Sequence, residues 1–188
     1  METSPAKAIQ YFNGEKQNLI PLFQRPYRWE NQNWNNLWGD LMIQYEQDGN
    51  TNHFMGAIVS VPAKSIPVGV SKYLIIDGQQ RLTTISILLC ALRDHFDSID
   101  DKNSSDRIQE VYLINRFREI DDTLKFVPTQ IDREIYKNIA LEKSIPTGKQ
   151  DHLMVGCYNF FRTKINGNDN NDNKIIPRQL LTTPPVSD

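Results

Sequence analysis

The residues of this chain with the clearest capacity for chemistry form one polar string, Asp77-Gly78-Gln79-Gln80-Arg81-Leu82-Thr83-Thr84. An apolar run, 73–76, precedes the string, and a second apolar run, 85–92, follows it. This order predicts a buried strand, a glycine turn and then a helix. The first turn of a helix has unpaired backbone N–H groups and carries the positive end of the helix dipole. The string therefore favours an anion site, and a phosphate in particular.

Each polar side chain of the string has a chemical use beside a phosphate. Arg81 offers forked donors that neutralise charge, and Gln79 and Gln80 can bond phosphate oxygens or orient a water. Asp77 repels a phosphate unless a divalent cation lies between them, so it is the candidate magnesium contact or general base. The alternative is an Asp-Gly turn that only caps a helix. The sequence contains neither GxxxxGK[ST] nor GxGxxG, so a nucleotide site here is of another type.

A second polar and aromatic cluster is Gln24-Arg25-Pro26-Tyr27-Arg28-Trp29. Pro26 excludes a regular central strand and predicts a structured loop. Arginines and aromatic rings together hold backbone charge and stack on bases, which favours a phosphate or nucleic-acid contact by Arg25 and Arg28. The alternative, a loop that anchors Tyr27 and Trp29 in the core with solvated arginines, stays open.

A third candidate region is 125–133, which contains Thr129, Asp132 and Arg133. A loop followed by a helix with Asp132 near its N-terminus explains this pattern without a function, and that interpretation is favoured.

Composition limits the class of protein. A chain of 188 residues with 39% hydrophobic and 23% charged residues fits one globular domain, and a net charge of -2 argues against a wholly cationic DNA-coating protein. Cys90 and Cys157 lie among apolar neighbours, which predicts buried free thiols and a reducing cytoplasm. No signal peptide or long apolar run places the chain in a membrane. The isolated histidines favour neither structural zinc nor a nuclease centre.

The hydrophobic pattern predicts a mixed α/β fold. Predicted helices cover 3–10, 33–47, 79–96, 132–141 and 153–165. Predicted strands cover 19–22, 54–61, 72–76, 112–117 and 124–127, and 97–105 is a polar connector. The tract 166–173 is rich in Asn and Asp, which predicts a flexible linker, and the ending suggests a chain cut from something longer.

Three segments together resemble the N-terminal domain of the GmrSD-type family of modification-dependent restriction proteins. They are 20–29, 54–59 and 75–84, with a weaker match at 126–133. The resemblance implies a ParB/sulfiredoxin-like α/β fold, with a small mixed sheet flanked by helices and further C-terminal helices. It also implies that the Asp-Gly-Gln-Gln-Arg turn binds and hydrolyses a nucleoside triphosphate (NTP) with Mg²⁺, and that the domain senses modified double-stranded DNA. An HNH-type nuclease domain follows in the family and is missing from this chain.

The resulting prediction is an NTPase and modified-DNA sensor over residues 1–165, with 166–188 as a linker toward the nuclease domain. Within the family, the chain looks most like the phosphorothioate-sensing subgroup, SspE, with GTP as one candidate nucleotide. A non-catalytic DNA-binding module is the alternative, a homo-oligomer stays open, and no membrane partner is expected. The predicted catalytic residues are Asp77, Gln79, Gln80 and Arg81, with Asp77 also on the metal. The predicted nucleotide-binding residues are Gln24, Arg25, Gly78 and Thr84, and the predicted DNA-binding residues are Pro26, Tyr27, Arg28 and Trp29.

Overall fold

The sheet of this protein has four strands in the order β2-β3-β1-β4. The computed structural model describes residues 8–46, 56–63, 69–118 and 120–167. The strands are β1 (Lys16–Leu19), β2 (Val59–Pro62), β3 (Ser71–Asp77) and β4 (Phe126–Val127). β1 runs parallel to β3 and β4, whereas β2 runs antiparallel to β3. The carboxyl ends of β1, β3 and β4 therefore share one edge of the sheet, which we call the carboxyl edge.

Five α-helices accompany the sheet within the described residues. They are α1 (Asn31–Glu46), α2 (Gln79–Ser98), α3 (Lys102–Ile108), α4 (Gln130–Lys137) and α5 (Leu153–Ile165). Helix α2 is central: it packs against α3 and α5, and its residues from Leu82 to Arg93 are all buried. Because α2 begins directly after β3, the core fixes the position of the turn between them. The mixed α/β prediction is confirmed, and the ParB/sulfiredoxin-like assignment stays a prediction.

One hydrophobic core holds the helices and the sheet together. Phe126 of β4 packs edge-on against Tyr136 of α4, and Trp38 of α1 packs against Phe161 of α5. Cys90 and Cys157 are buried free cysteines, as predicted, and burial raises the pKa of Cys90 to about 12. Within the described segments, no helix is both long and apolar enough to span a bilayer.

Most predicted elements are present, and the exceptions have physical causes. The predicted helices over 33–47, 79–96, 132–141 and 153–165 are confirmed within a few residues. The strand predicted over 19–22 instead occupies Lys16–Leu19, where the polar side chains of Gln17 and Asn18 are buried. Gln17 Nε2 donates to the carbonyls of Asp121 and Leu124, so these buried amides are paired although the segment does not read as apolar.

The prediction of a strand over 112–117 is wrong. Its first part belongs to a π-helical turn, Gln109–Leu113, that follows α3, and only an isolated bridge joins Ile114 to Leu124. Helix α3 begins inside the predicted connector, where Asp101 caps it by accepting from the Ser104 N–H. The predicted helix over 3–10 lies largely outside the described residues, which show a 3-10 turn at Ala8–Tyr11. Residues 54 and 55 of the predicted strand 54–61 and the predicted linker from residue 168 also lie outside them.

Candidate functional site

The turn between β3 and α2 lies at the carboxyl edge and requires a glycine. Gly78 has a φ of 86°, and a Cβ at this position would lie 2.9 Å from Ile58 Cγ1 and 3.2 Å from Ile58 Cα. A side chain here would be strained in conformation and would also clash with backbone. Gly78 therefore lets the start of α2 pack directly against the segment before β2.

The side chain of Arg81 contacts the segment before β2 at Gly56 and Ala57. Its Nη1 donates to the Ala57 carbonyl at 3.0 Å, and a Cβ added to Gly56 would lie 2.5 Å from Nη2. The guanidinium group is thus held over a bare glycine backbone. Arg81 has no carboxylate within ion-pair distance in the described residues. Its charge is positioned at the start of α2 and remains available to an anion.

The loop 21–29 lies against the same turn through four hydrogen bonds. Gln24 Nε2 donates to the Ile76 carbonyl at 2.9 Å, and Gln79 Nε2 donates to the Arg25 carbonyl at 3.3 Å. Gln80 uses both ends of its amide: Nε2 donates to the Pro26 carbonyl, and Oε1 accepts from the Arg28 N–H at 2.7 Å. The structure therefore brings the two predicted clusters together.

The two glutamines of the turn differ in how many of their side-chain amide atoms are hydrogen-bonded. Gln80 is 8% exposed and has both amide atoms bonded to the loop backbone. Gln79 is 7% exposed, and its Oε1 is a buried oxygen without a hydrogen-bond partner. Asn115 Oδ1 and Asp132 Oδ1 are buried oxygens of the same kind elsewhere in the described residues. Of the two glutamines, Gln79 keeps an unpaired acceptor, and Gln80 positions the loop.

Tyr27 and Thr84 lie in the core beneath the loop. Thr84 Oγ1 donates to the Gln80 carbonyl, so Tyr27 Oη donates its proton to Thr84 Oγ1 at 2.7 Å and accepts from Trp34 Nε1 at 2.9 Å. Tyr27 is 4% exposed, and burial raises its pKa well above the usual value. Direct contact of either side chain with DNA or nucleotide would require the loop to move. In the structure both hold the loop in place.

The loop 21–29 also carries the remaining predicted DNA-binding residues and Arg25, which face solvent to different degrees. Arg25 and Arg28 are exposed, whereas Pro26 and Trp29 are half-buried. Neither arginine has an acidic partner within ion-pair distance in the described segments. These side chains can reach a nucleic-acid backbone without rearrangement.

Asp132 lies in the first turn of α4, which confirms the interpretation favoured from sequence, and its side chain also contacts the loop 21–29. It is 2% exposed, and its Oδ2 accepts from the Tyr27 N–H at 2.8 Å and from Thr129 Oγ1 at 2.6 Å. Its Oδ1 lies 3.5 Å from His152 Nε2. The weak family resemblance at 126–133 was the only sequence signal, because the partners Tyr27 and Asp132 are 105 residues apart. The third region therefore anchors the second cluster from the far side of the loop.

Asp77 is exposed at the end of β3, and its Oδ1 accepts from the Gly78 N–H at 2.8 Å. No group of three His, Cys, Asp or Glu side chains suited to a metal occurs within the described residues. Asp77, which directly precedes Gly78, is a carboxylate at the β3–α2 turn. Mg²⁺ commonly takes one or two carboxylates together with phosphate oxygens and water, so Asp77 fits an ion that arrives with a nucleotide.

Comparison with known proteins gives one family match for this chain. The family model described as "GmrSD restriction endonuclease, N-terminal domain" matches residues 8–184. No curated protein matches the chain. The matched range includes the β3–α2 turn, the loop 21–29 and Asp132, and it implies a role in a restriction system. The chain belongs to the family of GmrSD restriction endonuclease N-terminal domains.

Proposed function

We propose that this domain recognises modified DNA, hydrolyses an NTP in response and thereby licenses a separate HNH-type nuclease domain in the cytoplasm. One observation carries the nucleotide part. Arg81 is held by the Ala57 carbonyl at the start of a 20-residue helix that is buried from Leu82 to Arg93, with no carboxylate in ion-pair distance among the described residues. A fixed cation beside a helix N-terminus is suited to a phosphate.

The residues around Arg81 divide the work of hydrolysis. Arg81 stabilises charge on the transferred phosphoryl group, and Arg25 and the first N–H groups of α2 bind the remaining phosphates. Asp77 holds Mg²⁺, which neutralises phosphate charge when bound. Gln79 Oε1 accepts a hydrogen bond from the attacking water, because the amide of Gln80 is already occupied by the loop. Gln24, Gly78 and Thr84 hold the backbone that presents these groups.

The exposed part of the loop binds the DNA. Arg25 and Arg28 contact phosphates, and the half-buried Pro26 and Trp29 give the surface between them an apolar component. A phosphorothioate carries a sulfur that is larger and less hydrated than oxygen, so it suits such a mixed surface, as the phosphorothioate-sensing subgroup SspE would require. A glucosylated base would instead need a wide polar cleft. Tyr27 contributes by holding the loop.

The test is the NTPase rate of Arg81→Ala. Phosphate release from each of the four NTPs with Mg²⁺ is followed with and without phosphorothioate, glucosylated and plain duplexes. We expect the substitution to lower the rate by about 100-fold or more. Arg107→Ala, which removes an exposed arginine of α3, is the matched control and should retain the rate. A full rate in folded Arg81→Ala protein would refute the assignment.

A non-catalytic binding module is the second candidate. The observation in its favour is that Gln80, one of two candidate water-positioning residues, is committed to the backbone of the loop. In that case the turn binds a nucleotide or a DNA phosphate without turnover. Zero phosphate release under every condition, with Arg81-dependent binding of DNA or nucleotide retained, would establish this candidate over the NTPase.

A further inference from the structure

The turn at the start of the loop 21–29 presents two large apolar side chains to solvent. Leu22 is 74% exposed and Phe23 is 78% exposed, and we call this pair the apolar tip. The other exposed large apolar side chains among the described residues stand singly along the chain, and single ones need no functional explanation. A consecutive pair at a turn does need one, because such positions are dominated by glycine, proline, asparagine, aspartate and serine.

The turn that carries the apolar tip is fixed at both ends. The Gln24 N–H donates to the Pro21 carbonyl at 3.0 Å, which closes the turn. Before the turn, the Ile20 N–H donates to the Val127 carbonyl at 2.9 Å and ties the chain to the end of β4. After it, Gln24 Nε2 donates to the Ile76 carbonyl at 2.9 Å and ties the chain to β3. The backbone of the apolar tip is therefore already ordered, so a partner that binds it costs little conformational entropy.

The charge beside the apolar tip indicates the chemistry of its partner. Arg25 and Arg28 follow the tip in the same loop, are exposed and have no carboxylate within ion-pair distance in the described part of the chain. Phe117 is the contrasting case: it is 92% exposed, but the arginine on each side of it is paired with a glutamate. Unpaired cations beside apolar groups match a polyanion that also offers apolar surface, and DNA offers base pairs between its phosphates.

We propose that Leu22 and Phe23 insert between two base pairs of the bound duplex and kink it. The inference rests on the proposed function, because the same loop is assigned there to DNA. Apolar side chains that enter a base step unstack it and bend the duplex, and the contacts that the bend permits repay the cost. Arg25 and Arg28 hold phosphates beside the inserted pair. The domain then responds to how easily the DNA deforms, which phosphate contacts alone do not report.

The experiment places 2-aminopurine, a base whose fluorescence rises when it unstacks, at successive positions around the modification of a phosphorothioate duplex. With the full chain at saturation, we expect the fluorescence to rise at one base step. Phe23→Ala should abolish that rise and weaken binding, measured by anisotropy, by about tenfold, because the contact between ring and base is lost. Leu22→Ala should cause a smaller loss. A TA step at the inserted position should bind more tightly than an AA step, because pyrimidine–purine steps unstack more easily.

Matched variants separate insertion from the loss of any exposed side chain. Phe117→Ala removes a phenylalanine that is equally accessible but lies outside the loop, and it should leave the affinity and the fluorescence rise unchanged. Phe23→Trp keeps an aromatic ring and should retain the rise. Arg25→Ala should weaken binding but retain the rise once the duplex is saturated, because the apolar tip is still present.

The outcomes distinguish this inference from the proposed function. Binding of the duplex by the unmodified chain without a fluorescence rise at any position overturns insertion and leaves DNA recognition by the loop intact. An equal rise and equal affinity in Phe23→Ala also overturn insertion. Absence of binding to every duplex overturns both proposals. If Phe23→Ala keeps its affinity for DNA but converts a dimer to a monomer in sedimentation, the apolar tip contacts a second copy of the chain, and the inference is overturned.

Discussion

At the edge where β1, β3 and β4 begin, two cations pair with carboxylates and two lysines, Lys16 and Lys125, donate to backbone carbonyls. At the carboxyl edge, three arginines lack a carboxylate within ion-pair distance among the described residues. Lys72 lies 2.8 Å from Asp122, and Arg118 lies 2.6 Å from Glu15, at the first edge, which we call the amino edge. The three arginines of the carboxyl edge are Arg25, Arg28 and Arg81. Both edges belong to the same sheet, so topology alone does not explain the difference. Departures from local charge matching are expected where a ligand completes the site.

Buried polar groups differ between the edges in the same way. At the amino edge, Asn115 Nδ2 donates to the carbonyls of Lys16 and Asp122, which ties the start of β1 to the 3-10 turn Ile120–Asp122. Asn115 Oδ1 is buried without a hydrogen-bond partner. At the carboxyl edge, Gln80 and Asp132 bond to the backbone of the loop 21–29. Their side chains shape a loop that presents exposed arginines. The amino-edge contacts therefore hold the sheet, whereas Gln80 and Asp132 hold the loop that presents the exposed arginines.

The largest expected difference between the edges is in the loss of folding stability, and we expect it from Asp132→Ala. The substitution leaves the Tyr27 N–H buried without an acceptor, so the free energy of unfolding should fall by about 2–3 kcal/mol. Glu15→Ala at the amino edge removes an exposed ion pair and should cost about 1 kcal/mol or less. Urea denaturation of both variants measures the difference.

Asp132→Asn sharpens this prediction because it keeps one oxygen that can accept from the Tyr27 N–H. It should be more stable than Asp132→Ala. If Asp132→Ala costs no more than Glu15→Ala, the carboxylate does not anchor the loop, and the contrast between the edges loses its structural basis.

Much of the carboxyl edge could be predicted from sequence, because its elements are regular. The apolar run before Asp77 gives β3, and the run after Thr84 gives α2, so the position of the turn follows from local pattern. Gly78 at the turn is equally local. The amino edge was harder to predict because β1 contains the buried Gln17 and Asn18, whose partners lie far along the chain.

The roles within the site could not be predicted in the same way. Sequence alone did not distinguish Gln79 from Gln80, and only the folded loop shows that Gln80 is bonded at both ends. The position of Tyr27 beside two arginines predicts a residue that stacks on DNA bases. In the structure, however, Tyr27 is buried and hydrogen-bonds to Trp34 and Thr84. Apart from the contact between Tyr27 and Trp34, these assignments depend on contacts over 50 or more residues, which hydrophobic periodicity does not encode.

The next effect is on DNA binding by the unpaired arginines. Arg25→Ala and Arg28→Ala should each weaken binding of a phosphorothioate duplex by about tenfold at low salt. Each should also reduce the slope of log K against log salt concentration by about one. Arg116→Ala is the matched control at the amino edge, where Arg116 lies 2.9 Å from Glu110. Fluorescence anisotropy over a series of salt concentrations measures both quantities. Equal losses in all three variants would mean that binding follows overall charge and does not depend on the carboxyl edge.

The smallest expected effect is a pH dependence of folding stability that arises from His152, which lies beside Asp132 at the carboxyl edge. Burial lowers the pKa of His152; the Asp132 carboxylate opposes this shift, and Lys149 adds to it. His152 Nδ1 accepts from the Met154 N–H, which leaves the proton of the neutral ring on Nε2, the atom that faces Asp132. The folded state therefore binds the second proton more weakly than the unfolded state.

The sign of the effect follows from this difference in proton binding. The contribution of His152 to stability is complete above its unfolded pKa of about 6.5 and declines as the pH falls through the lower folded value. His152→Asn keeps an acceptor at the start of α5 and cannot titrate, so it should lose less stability than the unmodified chain between pH 6.5 and more acidic values. Thermal unfolding across that range measures the difference, with His95→Asn on α2 as the control. If His95→Asn flattens the profile and His152→Asn does not, the pH dependence arises away from Asp132, and protonation does not reach the loop through this contact.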